Sequence, residues 1–448
     1  MVLFEGRGWE SNGLRVAIRS MRAAMTRFLI LRSSWLDLRT FLARRYWLGA
    51  AIFFSVFLAA CGPAPLGVDW AALSTVGEEQ NILVAYADRL LMMDPVSGRP
   101  VELRNADGEP LLDDQGNPRI WEIKGGDLSG AQFYASPIVL NDSTMLVAAY
   151  NNRIFEINIP RARVENPSGE PIRDNANTNV VGDLTANGDL LYIPLSGHDL
   201  IALNRDDLTE RWTAITQHGV WSKPLLVEDT LYFSSLDHFL YAVDANTGEE
   251  RWRLDLKGTA VSAPVYAPPA EEGGVGHLYI GSFARKIFDI STDGEILDEY
   301  DTRGWVWSAP TLVDGVLYAA DLEGWVYALD AENGLSEVWT PRQIAPSSIR
   351  PAPLVVGDTV IVATRDGRLH WLNRNDGSYI ADTGEDGNVT DRIRGLRGQI
   401  FSDLLLIQPG ENLDLDSPIV VVSTMAAEEL LVAFNVNNGQ RLWSYPQQ

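Results

Sequence analysis

A chain of 448 residues, 46% hydrophobic and 21% charged, is long enough to bury a large core, and its single cysteine, Cys61, excludes an intramolecular disulfide and any cysteine-rich zinc or haem site. The formal net charge is −24. Residues 1–60 hold nine Arg against three acids, which leaves 27 basic and 57 acidic residues on the rest, a net of −30. Such a surface repels phosphate backbones, so nucleic-acid binding is not expected.

The first element is an apolar run, YWLGAAIFFSVFLAA at 46–60, preceded by Arg44-Arg45 and followed by Cys61-Gly62. A basic flank, a short apolar stretch and small residues at its end are the parts of a secretory signal. The run is short for a membrane-spanning helix, which needs about 20 residues. Leu58-Ala59-Ala60-Cys61 looks like a bacterial lipobox. That resemblance implies cleavage before Cys61 and acylation of its thiol and new amine with fatty chains such as palmitate. More than one chain makes a stable membrane anchor. The basic segment is long for a leader, and Met21 and Met25 are alternative starts. Three segments are therefore expected: an extension with signal peptide at 1–60, a lipidated Cys with its Gly-Pro-Ala-Pro tether at 61–67, and one domain at 68–448.

From Val68 onward the pattern is repetitive. Trp221 to Leu256 reads WSKPLLVEDTLYFSSLDHFLYAVDANTGEERWRLDL, and the stretch after Trp305, WVWSAPTLVDGVLYAADLEGWVYALDAENGLSEVWTP, repeats it. Short period-two bursts broken by Asp, Asn and Gly predict four short antiparallel strands per repeat. A polar residue closes the third strand at Asp94, Asn158, Asn204, Asp244, Asp330, Asn373 and Asn435, with Ser291 standing in once; a Gly turn follows. The fourth strand carries an aromatic, at Trp121, Trp212, Trp252, Tyr300, Trp339 and Trp443. A unit this small needs copies of itself to pack against, and eight copies at about 40 residues each predict an all-β propeller of four-stranded antiparallel blades. Seven blades plus an elaborated first hairpin is the alternative.

In chain order, the first repeat carries a long polar hairpin at 105–123. Its DDQGN motif lacks the acid that a calcium loop requires and reads as a plain turn. The fifth repeat holds a flexible insertion, APPAEEGGVG at 267–276. Residues 385–399, EDGNVTDRIRGLRGQ, hold three Arg, the only basic cluster after Cys61, and read as a solvated or partner-binding loop. How the ring closes is not readable from the pattern.

The wordings YAVDANTGEERW, YALDAENGLSEVW and VAFNVNNGQRLW resemble the PQQ-like β-propeller repeat. The resemblance implies that Trp121, Trp212, Trp252, Trp339 and Trp443, with Gly248, Gly294, Gly334, Gly377 and Gly439, lock neighbouring blades together. Quinoprotein dehydrogenases share that repeat and bind pyrroloquinoline quinone with calcium. Their adjacent cysteines and haem motif are missing here, so no cofactor and no catalytic residue is expected. His198, His218, His238, His277 and His370 are scattered singly, outside metal-ligand spacing. Nucleophile-elbow, P-loop and Rossmann motifs are absent. Glu271-Glu272 and Glu428-Glu429 read as solvent-facing pairs. Trp221, Trp305 and Trp307 would suit a sugar-binding or sensor surface, but their recurrence beside the first strand argues for packing within the repeat. A lipid-anchored, acidic propeller without catalytic motifs resembles the BamB-type lipoproteins. That resemblance implies a monomeric, membrane-tethered scaffold with a protein partner in the cell envelope, on the periplasmic face of an outer membrane or outside a single membrane.

Overall fold

The computed structural model describes residues 71–447 except 129, 167–168, 173–178, 272 and 385–387. Cys61, the apolar run and the expected tether lie outside these residues.

Eight antiparallel sheets follow one another along the chain, spanning 72–124, 138–171, 185–214, 225–255, 265–301, 311–343, 354–395 and 405–445. The alternative of seven blades is thereby excluded. In blade four the strands Leu225–Val227, Thr230–Ser234, Phe239–Asp244 and Glu250–Asp255 pair in sequence order. The turn after the third strand explains the recurring Asp or Asn. The Asp244 side chain accepts the backbone N–H groups of Asn246 and Thr247 at 3.0 Å each, and Gly248 closes the turn by donating to the Asp244 carbonyl at 2.8 Å. Blade two departs from the plan. Its outer strand is split into Arg163–Val164 and Glu170–Pro171, both paired with Arg153–Asn158.

The period-two expectation holds only at the blade rims. The middle strands are buried on both faces: Thr230–Ser234 is buried at every position. Leu231 and Phe233 pack towards blade three, against Tyr192 and Leu200, whereas Tyr232 packs towards blade five, against Leu278 and Phe288. The same division recurs around the molecule, giving eight apolar clusters, one between each pair of adjacent blades. Each fully buried Leu, Ile or Phe there contributes about 1.5–3 kcal/mol.

Blade seven reaches into the stretch at 385–399 that was expected to be a loop. After Tyr379 the chain leaves the sheet as a hairpin, Ala381–Thr383 with Val389–Asp391, and returns to add Ile393–Gly395 as the fourth strand. Two of the three arginines expected in a solvated or partner-binding loop are structural instead. Arg392 Nε donates to Asp382 at 2.7 Å and its guanidinium to the Asn437 carbonyl at 2.6 Å. Arg394 donates to Asp382 at 2.5 Å and to the Gly439 carbonyl at 2.8 Å. Glu429, expected to face solvent, is 1% exposed. It accepts the Arg397 N–H at 2.5 Å and pairs with Arg441 at 2.8 Å.

Blade eight contains only its own strands, so the ring closes without a shared strand. Side chains hold the seam: Ser402 donates to the Ala71 carbonyl at 2.5 Å, Gln80 to the Gln408 carbonyl at 2.9 Å, and Trp443 to the Pro95 carbonyl at 2.8 Å.

Candidate functional site: blade clasps and the channel mouth

Between blades the indoles and glycines meet in a recurring clasp. The Trp212 Nε1 donates to the Ala245 carbonyl at 3.1 Å, and its ring lies where a Cβ on Gly248 would be 2.6 Å away. Trp252 repeats this with the Thr292 carbonyl at 2.9 Å and Gly294, and Trp339 with the Arg374 carbonyl at 3.3 Å and Gly377. Trp443 does so across the seam, facing Gly98, a residue missing from the expected set. Trp121 donates to the Ile159 carbonyl at 2.6 Å, with Ala162 rather than glycine in the positive-φ turn nearby. Two expected glycines face other side chains. A Cβ on Gly334 would meet Asp298, and one on Gly439 would meet Arg392 and Arg394. In those interfaces the hydrogen bond comes from the middle of the blade: Tyr279 OH donates to the Ala331 carbonyl at 2.9 Å, and Trp371 Nε1 to the Val436 carbonyl at 3.0 Å. Tyr279 and Trp371 were not singled out from sequence, because the pattern placed the docking aromatic in the fourth strand.

The segment leading into each first strand recurs as well, and it lines the axis. Asp183 accepts the Ser136 N–H and Asp403 the Ala352 N–H, each at 2.7 Å, from the same position of the preceding blade. Desolvation works to raise the Asp403 carboxyl, the Ala352 N–H opposes it and the charge of Asp183 adds to the rise. Lys223 holds the equivalent position in blade four. Among the described residues no three His, Cys, Asp or Glu side chains converge as metal ligands.

Two residues earlier in the lead-in, the side chains form a stacked ladder. Trp307, Arg350 and Phe401 occupy the same position in three successive blades. The Arg350 guanidinium carbon lies 4.3 Å from the Trp307 ring centroid and 4.7 Å from that of Phe401, and that of Arg365 lies 5.5 Å from the Phe401 centroid. Phe283 extends the row, stacked on Trp305 at 5.2 Å and tilted against Trp307 at 5.7 Å. Trp305 is 50% exposed and Trp221 37%, so these indoles are not consumed by packing within the repeat as expected. A cleft of about 420 Å³ lies elsewhere, between blades four and five, but its cation, Arg251, is tied to Asp229 and Asp244 at 2.9 and 2.8 Å.

Repeat, clasp and eightfold ring define the class: a PQQ-like β-propeller. A family model described as outer membrane protein assembly factor BamB matches residues 196–275 and 239–448, more than half of the chain, and the chain belongs to that family. Among similar proteins, the outer membrane protein assembly factor BamB of Yersinia pestis is 21% identical over 287 residues, covering 53% of this chain and 71% of that protein. The BamB of Burkholderia pseudomallei is 28% identical over 254 residues, 54% of this chain and 60% of that protein. In structure the chain resembles BamB from Moraxella catarrhalis, with a TM-score of 0.54 at 13% identity over 79% of this chain and 93% of that one. The computationally designed protein Ika8 scores equally, at 0.54 and 14% identity, over 83% of this chain and 98% of the design. The structural likeness therefore speaks for the fold. No helix among the described residues is long and apolar enough to cross a membrane.

Proposed function

We propose that this protein is a lipoprotein, anchored through Cys61 on the periplasmic face of an outer membrane, that acts as a non-catalytic scaffold in the assembly of outer-membrane proteins. The observation that carries the reading is the match of the assembly-factor family over residues 196–448. The lipobox wording at Leu58–Cys61 supports the anchor. The ring supports the scaffold role, because rigid blades hold interblade loops as a preformed surface, so little ordering entropy opposes docking. In the same reading the Trp–Gly clasps serve the fold: they lock blade on blade and leave the loops free for partners.

The test joins fractionation to crosslinking in the native cell. Wild type should pellet with the outer membrane and crosslink to β-barrel assembly proteins, and Cys61→Ser should move to the soluble fraction. Saturable one-to-one binding of pyrroloquinoline quinone with calcium, accompanied by substrate turnover, would replace the scaffold with an enzyme.

A further inference from the structure

The channel-mouth ladder contains two cations without counter-charges. Among the described residues neither Arg350 nor Arg365 has a carboxylate or hydrogen-bond partner for its side chain, whereas Arg251, Arg374, Arg392 and Arg394 are each held by an aspartate. Arg350 is held between the Trp307 and Phe401 rings, so its guanidinium is positioned by stacking rather than by an ion pair, and the residue keeps part of its surface accessible. Burial first, then the neighbouring charge of Arg365, works against the ionised Arg350. An anion between the two would relieve both costs, and the planar fork fits a carboxylate through two parallel hydrogen bonds. Beside this charge stands an apolar row, Phe283, Trp305 and Trp307, with the Trp305 side chain half exposed.

We propose that the ladder from Trp305 to Arg365 is a docking site for an extended acidic–aromatic segment of a partner polypeptide. Its carboxylates pair with Arg350 and Arg365, and an apolar side chain lies against Trp305. The ladder crosses the lead-ins of three successive blades, which suits an extended strand better than a compact group. Its aromatic rings are largely stacked on one another, so it lacks the open row of faces on which a sugar chain would lie. The partner class, a protein, rests on the scaffold reading; the site and its charge preference rest on the ladder itself.

The test is a titration of purified residues 66–448, followed by Trp fluorescence, with a capped decapeptide bearing three Glu and two Phe in a Gly/Ser background. The expected result is saturable binding that weakens at least tenfold when Gln replaces Glu in the peptide. It should weaken at least tenfold again in Arg350→Gln and, separately, in the exposed-site variant Arg365→Gln, with thermal melting unchanged in the latter. Binding that ignores both variants, or no saturation at millimolar peptide, overturns the proposal. So does trigalacturonate binding more tightly than the peptide, which would make the site one for acidic glycans. If the peptide fails while native-membrane crosslinks to assembly proteins persist, the docking site falls and the scaffold stands; loss of the crosslinks with peptide binding intact gives the converse.

Discussion

At Gly248 two constraints coincide: φ is +73°, and an added Cβ would lie 2.6 Å from the Trp212 ring. Gly188 has φ +55° and nothing near its missing Cβ, so it separates the two effects. Gly188→Ala should cost about 1–2 kcal/mol for the left-handed backbone alone. Gly248→Ala should cost about 1–3 kcal/mol more, because the indole must shift. Urea unfolding of both variants checks this, and equal costs would show that the clasp has slack. His370 makes a second residue-scale case. It is 1% exposed, and burial pushes it down to about 4, with Asp366 opposing and Arg368 reinforcing the shift. The unfolded chain, at about 6.5, binds the extra proton first as pH falls. Stability from the buried neutral ring is thus intact above pH 6.5 and lost between about 6.5 and 4, to a total of about 3 kcal/mol. The stability difference between wild type and His370→Gln should shrink by that amount from pH 7 to pH 4. A constant difference would mean that the ring takes its proton without opening the blade.

At the scale of the element, blade seven has replaced its outer tryptophan with an arginine clamp. The strand Ile393–Gly395 is only three residues long, and Arg392 and Arg394 tie it to Asp382 and to the next blade's turn. Burial works to raise the Asp382 carboxyl, and the two arginines outweigh it and hold it below the ordinary carboxylate value. Arg392 is 12% exposed, so the pair is screened far less than a surface bridge. Arg392→Ala should cost about 1–3 kcal/mol, discounted from the fully buried case because Asp382 is 26% exposed. Amide exchange at 389–395 should accelerate before that of the inner strands; uniform acceleration through the blade would show that the clamp stabilises the whole sheet. The sequence presented these arginines as a basic loop because charge runs usually face water. Only the aspartate brought alongside by the hairpin changes their role.

For the whole molecule the decisive feature is the seam between blades eight and one. Every other interface is also joined by the chain, but this one is held by the apolar cluster from Ala71 to Trp443 and a few hydrogen bonds. Trp212 and Trp443 are both 8% exposed and both clasp a glycine turn, so they compare cleanly. Each Trp→Ala change should remove about 3–5 kcal/mol. Trp443→Ala should in addition expose 72–76 and 441–445 to hydrogen exchange by local opening, because no covalent link keeps those blades in register. If Trp212→Ala opens its interface just as readily, chain continuity contributes nothing to closure.

The sequence by itself determined the repeat and the four-stranded antiparallel blade, because these depend on local turn chemistry and on apolar spacing that recurs along the chain; it favoured eight blades over seven, and the sheet topology decided between them. It also marked Trp212, Trp252 and Trp339 as the recurring aromatics of the fourth strand. Only the tertiary structure decided which turn each indole meets, that Gly98 takes Trp443, and that Tyr279 and Trp371 serve where the outer tryptophan is missing. The burial of Glu429 and the stacking of Arg350 between Trp307 and Phe401 were decided there too. These arrangements join side chains tens to hundreds of residues apart. No local pattern encodes them, because they arise when the ring closes and brings equivalent positions of successive blades face to face.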